Sequence, residues 1–473
     1  MSLWPLFYVT TEWIIRVGML CYVPQRRTAA AARAWLVLVF LVPWVGLGCY
    51  LLFGRIRVPR RRRERQHQAA VRVGAVLAAM KAADAPPRPA LDGGDESTAA
   101  LAERLGGFGP LGGNGVELLA DYEGSVDRLI GDIDAARSQV NLLFYIFAPD
   151  ALGRRVASAV ERAAKRGVTC RVLMDRLGSA GGLRKLGPGL RAAGVEVIAA
   201  LPVGLLRRSA ARADLRNHRK IAVIDGQIGY VGSQNIVGPE FIRGFPNEEL
   251  MARVTGPVVV QLEAVLLADR YEETEERLEL EQTPRYPDAT GVATAQVVPS
   301  GPGYPYENPQ ALFCSLLHGA RERVVITTPY FVPDEPFLVA METAAVRGAD
   351  VHLVVPERSN KPITRWAQQS HYERLLDAGA HVHLYAPRFL HAKHLTVDGR
   401  IAVIGSVNID IRSFALDCEV SLLVYDRAVV RSFEEIQARY FARSRELSRD
   451  DWRRRPLAAR VAENTARLAD SLL

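Results

Sequence analysis

The sequence predicts an α/β protein whose two similar α/β halves pack as a pseudo-twofold pair, preceded by apolar amino-terminal helices. Three features of the 473 residues support this prediction: a short polar pattern that occurs twice, matching blocks of strands and helices before each copy, and two apolar stretches near the start. The repeat indicates one architectural unit used twice, and the apolar stretches indicate contact with a membrane.

The second apolar stretch, residues 34–53, has twenty consecutive residues without a formal charge, which is long enough to span a bilayer. Pro43 near its middle is tolerated in a membrane helix. The first stretch, residues 3–23, is interrupted by Glu12 and Arg16, whose i,i+4 spacing lets them pair on one helix face. This first stretch either spans the membrane in a hairpin with the second or lies in the interface, and we favour the span.

Arginine supplies most of the positive charge, and the formal net charge is +8. One cluster follows the second apolar stretch and another precedes the first polar motif: Arg55, Arg57, Arg60, Arg61, Arg62, Arg63 and Arg65, then Arg207, Arg208, Arg212, Arg216 and Arg219. The first cluster predicts that the chain after it stays cytoplasmic. Both clusters suit anionic lipid headgroups, although nucleic-acid binding or a solvated arginine-rich face would give a similar composition.

Composition divides the chain into four parts. We expect a membrane anchor at residues 1–56, a basic juxtamembrane segment and linker at 57–115, a first half at 116–285, and a second half at 286–473 with a carboxyl-terminal helix from about Arg431. Residues 282–299 are expected to connect the halves. The five cysteines are scattered, odd in number and without a Cys-x-x-Cys pair, which argues against a disulfide framework or a zinc site.

Within each half the segments before the polar motif recur in the order strand, helix, strand, helix, strand. The clearest of them lie at residues 140–145, 163–167, 170–174 and 192–197 in the first half, and at 324–330, 344–348, 351–355 and 377–382 in the second. Glycines such as Gly167 and Gly348 end the helices and lead into the next strand. The order predicts helices that cover a mostly parallel sheet, with the halves packed face to face so that both motifs reach one cleft.

The polar pattern His-x-Lys-x-x-x-x-Asp occurs once in each half, as His218, Lys220 and Asp225 and as His391, Lys393 and Asp398. A Gly-Ser-x-Asn run follows each copy at the same distance and contributes Ser233, Asn235, Ser406 and Asn408. One such pattern arises by chance in roughly a few percent of chains this long, but a matched pair does not. Each copy predicts a short strand ending in a turn, and residues two apart on a strand face the same side, so each histidine and its lysine point into one space.

These residue types suit phosphoryl transfer. A neutral imidazole can attack phosphorus and form a phosphohistidine, while a second, protonated imidazole donates a proton to the departing alkoxide. Lysine ammoniums and the Ser and Asn donors can hold the phosphoryl oxygens, so the chemistry requires no metal and no cofactor. Only six of the 60 Lys and Arg residues are lysines, and two of the six are Lys220 and Lys393, which indicates that a compact ammonium is needed there.

The repeat resembles the phospholipase D superfamily, whose members carry two such motifs, and within it the family of bacterial cardiolipin synthases. The resemblance rests on residues 216–226 at the first motif, on 389–393, 401–406 and 410–414 around the second, and on the Pro-Tyr-Phe-Val-Pro-Asp run at 329–334. It covers most of the chain, including the amino-terminal apolar segments. It implies two phospholipase D-like halves in a multi-pass protein of the bacterial inner membrane, with the catalytic part cytoplasmic.

By this resemblance, the reaction joins two phosphatidylglycerol molecules into cardiolipin and releases glycerol, with anionic membrane lipid as the partner and no nucleic acid. One histidine takes the phosphatidyl group, and the other protonates the glycerol and then deprotonates the hydroxyl of the second phosphatidylglycerol. We assign His218 as the nucleophile and His391 as the acid and base, although the near-symmetry of the halves leaves the reverse open. The oligomeric state also stays open, with a homo-oligomer among the options.

The family also has an acidic residue after each motif that orients the opposing histidine. Glu419 matches this position in the second half, and Glu249 is the corresponding candidate in the first, although the adjacent Glu248 competes with it. Here the chain departs from the family pattern, which has a Trp-Arg-Asp-like run at this point of the first half. The departure leaves the acceptor preference open, and the alternative for either glutamate is a solvated surface charge.

Three other functions fit parts of the sequence. A hydrolase of the same mechanism would use water as the acceptor and release phosphatidic acid. A nuclease of the superfamily fits the basic charge, but such nucleases are generally smaller and the apolar segments argue against one. A lipid-binding or scaffolding protein with decayed motifs is the non-enzymatic option, and the two intact His-Lys-Asp sets argue against it.

Overall fold

The computed structural model describes residues 4–26, 29–54, 88–201, 215–241, 244–274 and 285–468, together with short pieces between residues 64 and 86. The chain divides into two compact units, Met1–Val58 and Pro59–Leu473. Several arginines of the two predicted basic clusters lie outside the described residues: Arg55, Arg57, Arg60, Arg61, Arg62, Arg63, Arg207, Arg208 and Arg212. Much of the predicted linker at 57–115 lies outside them as well.

Three helices lie in the described part of the amino-terminal unit: α1 (Trp4–Tyr22), α2 (Ala29–Leu41) and α3 (Pro43–Phe53). The single helix expected at residues 34–53 is broken after Leu41, because proline has no amide hydrogen to continue a helix and instead begins the next one. The predicted i,i+4 pair is confirmed, with Arg16 Nη1 3.2 Å from Glu12 Oε2. None of the described helices combines the length and the apolar character that crossing a bilayer requires.

The strands of the larger unit are short and alternate with helices. They are β1 (Leu111–Leu119), β2 (Gln139–Phe144), β3 (Thr169–Asp175), β4 (Glu196–Ala200), β5 (Lys220–Ile224), β6 (Ile228–Gly232), β7 (Asn247–Glu248), β8 (Met251–Thr255), β9 (Ala293–Ser300), β10 (Arg323–Thr327), β11 (Phe331–Val332), β12 (Asp350–Pro356), β13 (His381–Tyr385), β14 (Phe389–Leu390), β15 (His394–Val397), β16 (Ile401–Gly405), β17 (Ile409–Asp410), β18 (Glu419–Val424) and β19 (Ser444–Glu446).

Most of the described helices of this unit follow a strand in the sequence. They are α4 (Gly93–Gly106), α5 (Tyr122–Ala135), α6 (Ala151–Lys165), α7 (Ala180–Lys185), α8 (Gly187–Ala192), α9 (Val259–Thr274), α10 (Asn308–Gly319), α11 (Glu335–Val346), α12 (Pro362–Gln369), α13 (Tyr372–Asp377), α14 (Ile411–Ala415), α15 (Arg427–Ala442), α16 (Arg449–Arg453) and α17 (Leu457–Arg467). The carboxyl-terminal helix expected from Arg431 is α15, followed by two shorter ones.

Fifteen of the described strands form one sheet whose order repeats on both sides of its centre. From β1 outward the order is β8, β6, β5, β2, β3 and β4, and from β9 outward it is β18, β16, β15, β10, β12 and β13, with β19 added at the edge beside β13. The two series meet where β1 pairs antiparallel with β9. The residues expected to connect the halves, 282–299, therefore include most of β9, which is a central strand of the sheet.

Within each half, only the three strands beyond the motif strand run parallel to one another. Strands β2, β3 and β4 run parallel, as do β10, β12 and β13, but the motif strands β5 and β15 run antiparallel to both neighbours. The expectation of a mostly parallel sheet is therefore wrong near the motifs. The cause is the turn after each motif strand, since a tight turn can join only antiparallel strands.

Apolar layers cover both faces of the sheet. On the outer face of the first half, α5 and α6 bury Leu129, Val156 and Val160, and on that of the second half α10 and α11 bury Leu316 and Met341. The other faces of the two halves share one core, to which α9 and α15 also contribute. The sharing brings the amino-terminal ends of both motif strands to the same region of the molecule.

Candidate active site

Two short backbone pairings cross between the halves and hold the motif histidines. In the first ribbon, Asn217 bridges Cys418 in parallel, and the His218 amide donates to the Cys418 carbonyl at 2.9 Å. In the second ribbon, β14 pairs in parallel with β7, and the His391 amide donates to the Glu248 carbonyl at 2.8 Å. Each histidine is therefore anchored to the half that does not contain it.

Each imidazole also meets a carboxylate from the opposite half, and we call these contacts the crossed pairs. His218 Nδ1 lies 2.9 Å from Glu419 Oε1, and His391 Nδ1 lies 2.7 Å from Glu249 Oε1. Both glutamates are buried, at 0% and 2% exposure. A carboxylate accepts the Nδ1–H, which leaves the Nε2 lone pair of each ring facing the site.

The competing Glu248 occupies a different place. It is only half-buried, and its Oε2 lies 3.8 Å from Arg388 Nε. Its backbone carbonyl accepts from the His391 amide, so it contributes to the second ribbon through its main chain. Of the two neighbouring glutamates, Glu249 is the one whose side chain contacts the imidazole.

Burial keeps both imidazoles neutral. Burial and, to a smaller extent, the Lys393 charge lower the pKa of His391 to about 4, although Glu249 raises it. Burial also holds the pKa of His218 well below its ordinary value, with Lys220, Lys393 and His391 adding to the effect. The effect of Lys393 and His391 on the pKa of His218 agrees with the crossed pairs, which bring the two motifs together. A neutral ring is the form that can attack phosphorus.

The two motif lysines are buried next to the backbone of the motif histidines. Lys220 and Lys393 are 0% and 2% exposed, and each ammonium donates to the carbonyl of its own motif histidine. Burial lowers the pKa of Lys220 to about 8 and that of Lys393 to about 7, although Glu249 and Glu419 raise both. Such ammoniums bind an anion strongly, because little water competes for them.

The pKa values of the two glutamates shift in opposite directions. Burial raises the pKa of Glu419 to about 7, although Lys220 and the hydroxyls of Ser406 and Ser413 lower it. Burial would also raise the pKa of Glu249, but His391 and Lys393 outweigh it and bring that pKa below its ordinary value. The pair at His391 therefore holds the more strongly ionised carboxylate.

The motif aspartates, expected among the catalytic residues, lie elsewhere. Asp225 follows the far end of β5 and accepts from the backbone amides of Arg137, Ser138 and Gln139 and from the Ser138 hydroxyl. Asp398 accepts from three amides in the same way: those of Arg321, Glu322 and Arg323. A five-residue strand separates Asp225 from Lys220 by roughly 17 Å. The catalytic expectation for both aspartates is corrected: they fix the loop before β2 or β10 to the motif hairpin.

The Gly-Ser-x-Asn residues lie beside the glutamates. Ser233 Oγ accepts from the Leu250 amide and Ser406 Oγ from the Val420 amide, both at 3.0 Å. Asn235 Oδ1 accepts from the Ile146 amide at 3.0 Å. Asn408 is buried, and its Oδ1 has no hydrogen-bond partner among the described residues. The serines thus hold the strands that carry the glutamates, and their expected role in binding phosphate stays a prediction.

The glycine before each serine permits this arrangement. A Cβ on Gly232 would collide with the Leu250 carbonyl, and one on Gly405 with the Val420 carbonyl. Only glycine lets the two strands approach closely enough for the serine to reach the next strand. The sequence pattern contained this glycine, but its steric reason is visible only in the paired strands.

Three further residues contact the site without having been assigned from the sequence. The centroids of the Tyr145 and His218 rings lie 4.9 Å apart, and Lys220 Nζ lies 5.5 Å from the centroid of the Tyr145 ring. Ser413 Oγ donates to Glu419 Oε1 at 2.9 Å. Arg219 is buried, pairs with Asp269 and donates from Nε to the Glu419 carbonyl at 2.9 Å. Tyr145 ends a predicted strand and Ser413 lies in the 410–414 segment near the second motif, but only the fold brings these two residues to the site.

Known families and proteins match this chain over most of its length. Residues 129–268 and 313–440 match the family model described as cardiolipin synthase, PLD-like domain, and residues 13–55 match the phospholipase D-nuclease N-terminal model. The chain is 35% identical to cardiolipin synthase A of Pectobacterium carotovorum subsp. carotovorum (strain PC1), with 97% of each chain covered. It is also 35% identical to cardiolipin synthase A of Yersinia pseudotuberculosis serotype O:1b (strain IP 31758), with 95% of each covered.

A solved structure shares the fold. Phosphatidylserine synthase of Haemophilus influenzae Rd KW20 superposes with a TM-score of 0.60 at 14% sequence identity. The likeness covers 80% of this chain and 100% of that one. Among the described residues, no group of three or more His, Cys, Asp or Glu side chains is arranged to hold a metal ion.

Proposed function

The chain belongs to the family of cardiolipin synthases with phospholipase D-like domains, and from that membership we infer that it is a phosphatidyltransferase that makes cardiolipin. The observation that carries the inference is the crossed pairs. Two neutral imidazoles, each oriented by a buried glutamate of the other half, share one site with two buried ammoniums. That set contains a nucleophile, an acid and base, and cations for a phosphoryl group.

In the first step, His218 Nε2 attacks the phosphorus of one phosphatidylglycerol. The bond from phosphorus to the headgroup oxygen breaks, and His391 in its protonated form gives that oxygen a proton, which releases glycerol. The anionic phosphodiester favours the imidazolium of His391 while it is bound. Lys220 and Lys393 hold the equatorial oxygens as charge shifts onto them.

In the second step, His391 is neutral and acts as the base. It takes the proton from a hydroxyl of a second phosphatidylglycerol, whose oxygen attacks the phosphorus of the phosphohistidine. The phosphorus–nitrogen bond breaks, cardiolipin leaves, and both imidazoles return to their first states with the proton again on His391. Glu419 and Glu249 accept the Nδ1–H of the two rings throughout, which keeps Nε2 directed at phosphorus.

The amino-terminal residues 1–56 would anchor the enzyme in the bacterial inner membrane, with both halves on the cytoplasmic side. The arginine run at 55–65 and the match of residues 13–55 to the N-terminal family model support this proposal. We retain the division into residues 57–115, 116–285 and 286–473 as part of the proposal; its last boundary falls between α9 and β9, whereas the boundary at 115/116 falls within β1. Anionic phospholipid is the partner that the basic charge favours.

Lipid analysis after reconstitution tests the proposal. The purified protein in vesicles of phosphatidylglycerol should convert that lipid into cardiolipin and glycerol, and His218→Ala should abolish the conversion. Release of phosphatidic acid without cardiolipin would contradict synthesis and favour a hydrolase. Trapping the covalent adduct on His391 in place of His218 would reverse the two roles.

A further inference from the structure

The two ribbons are related by a pseudo-twofold axis, but they carry different residue types two positions before the histidines and the glutamates. The backbone register makes Arg216 and Asp417 of the first ribbon equivalent to Phe389 and Asn247 of the second. An arginine and an aspartate therefore flank His218, while a phenylalanine and an asparagine flank His391. No other requirement of the crossed pairs explains this difference, because both histidines have the same carboxylate partner.

Further charged residues surround Arg216 and Asp417 at the first ribbon. Arg412 Nη2 lies 3.6 Å from Asp417 Oδ1, and Arg216 and Arg412 both act electrostatically on Asp417. Lys361 interacts with Asp417 and Arg412, and its Nζ lies 4.7 Å from the centroid of the Tyr330 ring. We call Arg216, Lys361, Arg412 and Asp417 the Arg216 cluster.

The charges of the Arg216 cluster suit the binding of an anion. It contains three cations, and the carboxyls that interact with them are Asp417, Asp410 and Asp175, all buried. Burial raises the pKa of Asp417 well above its ordinary value, although Arg412 and Arg216 lower it, and burial likewise raises the pKa of Asp410. A carboxyl that is easily protonated does not repel an anion and can donate a hydrogen bond to it.

The cluster lies at a fixed spacing from the reacting phosphorus. In an extended ribbon the side chains of residues i and i+2 share a face, so Arg216 and His218 point the same way, as do Asp417 and Glu419. Two residues of extended chain span about 7 Å. This is close to the span of a three-carbon bridge between two phosphates, which is the linkage that joins the two halves of cardiolipin.

We propose that the Arg216 cluster binds the phosphodiester of the second, acceptor phospholipid, an inference that rests on the proposed synthesis of cardiolipin. Lys220 and Lys393 hold the phosphoryl group under attack, and the acceptor brings a second phosphate one glycerol away. Guanidinium groups suit a phosphodiester because they present paired donors in a plane. On the other ribbon Phe389 is 1% exposed and packs 6.0 Å from Tyr330, so it offers no charge there.

Comparing two acceptor substrates distinguishes binding of the acceptor phosphate from a general effect on catalysis. Free labelled glycerol can exchange into phosphatidylglycerol through the same phosphohistidine, but it carries no phosphate. Both reactions are measured in mixed micelles of phosphatidylglycerol and a non-ionic detergent, for the intact protein and for Arg412→Gln and Lys361→Gln. Since a hydrogen bond to a charged group contributes about 1.5–3 kcal/mol, cardiolipin formation should fall roughly 10- to 100-fold in Arg412→Gln, with less loss in Lys361→Gln.

Glycerol exchange should stay within about twofold of the intact protein in both variants, which also shows that they are folded, because this reaction needs no second phosphate. Arg388→Gln is the matched control: this half-exposed arginine lies beside the second ribbon and should leave both reactions unchanged. A parallel fall in exchange and cardiolipin formation would overturn the inference, as would no change in either. An intact protein that exchanges glycerol but makes no cardiolipin would overturn the proposed function and this inference with it.

Discussion

Burial determines the charges of the groups that we propose to be catalytic. His391, Lys220 and Lys393 are removed from water, so the pKa of the imidazole falls to about 4 and those of the ammoniums to about 8 and about 7. At neutral pH the rings are uncharged and ready to attack, while the lysines lose their protons far more easily than an exposed lysine does. The arrangement suits a substrate that brings its own negative charge.

The first prediction at this scale concerns pH. A lysine must be protonated to hold a phosphoryl oxygen, so kcat/KM should fall as pH rises through 7 to 8, where the free-enzyme pKa values of Lys393 and Lys220 lie. It should also fall toward acid pH, where His218 gains a proton and can no longer attack phosphorus; burial and the Lys220 charge hold that pKa well below its ordinary value. The rate of cardiolipin formation measured against pH checks both limbs. Lys393→Arg should move the alkaline limb upward, since a guanidinium stays charged; an unmoved limb would contradict the assignment.

The second prediction concerns the crossed pairs. Glu249→Gln and Glu419→Gln keep the shape of the side chain but present an amide that can also donate to Nδ1, which favours the wrong tautomer. We expect kcat to fall on the order of 10²-fold in each, by the size typical of disturbed general acid–base catalysis, with little change in KM. Glu248→Gln is the control and should retain nearly full kcat. Equal losses in all three variants would mean that only the local charge matters.

At the residue scale the sequence predicts the histidines, lysines and glutamates because polar groups repeated at fixed spacing have few structural causes. The aspartates were misassigned, although Asp-Gly after a strand is itself a turn signal. Both Asp225 and Asp398 have a φ of 52°, a left-handed value that belongs to that turn. Tyr145 and Ser413 have no spacing signal, so only their position in the fold connects them to the site.

Among the elements, the motif hairpin carries a prediction about stability. Asp225→Ala removes an acceptor shared by three amides and a hydroxyl, and we expect a loss of about 1–3 kcal/mol in the free energy of unfolding, with activity of the folded protein retained. Thermal unfolding in detergent measures it. The amide hydrogen bonds outweigh burial and lower the pKa of Asp225, so the difference from Ala should shrink as pH falls below the ordinary carboxyl pKa. Lost activity at full stability would restore a catalytic role.

The strand that carries Glu419 gives a second prediction at this scale. In Gly405→Ala the new methyl group collides with the Val420 carbonyl, so β16 and β18 must separate and Glu419 shifts away from His218. We expect a loss of about 1–3 kcal/mol in stability together with reduced kcat. Gly319→Ala is the control, because nothing lies within 4 Å of a Cβ there. A fully active and stable Gly405→Ala variant would show that the close approach is unnecessary.

The sequence predicts the order of elements better than their directions. Apolar runs and glycine ends show where the strands and helices of each half lie, since these depend on local periodicity. Strand direction depends on how a turn closes, and the two antiparallel motif hairpins were missed for that reason. In the amino-terminal unit, Pro43 ends one helix and begins another, where charge counting alone predicted a continuous one.

In the molecule as a whole, both halves contribute to each crossed pair within a single chain. His218 needs Glu419, and His391 needs Glu249, so neither half alone contains a complete pair. We therefore predict that mixing His218→Ala chains with His391→Ala chains restores no synthesis of cardiolipin. Lipid analysis of the mixture against each variant alone measures this. Recovered synthesis would mean that two chains exchange halves or share a site.

The crossed arrangement also bears on ancestry. A progenitor with a single half would have a histidine and a glutamate that cannot meet each other, and it could pair them only by joining a second copy around a twofold axis. Once duplication placed both copies on one polypeptide, the paired groups stayed fixed while the neighbouring positions were released from symmetry. Arg216 and Phe389 occupy equivalent positions but differ in residue type. A homodimer must carry the same residue at both positions, whereas a single chain with two halves can carry a different residue at each and so bind its two substrates differently.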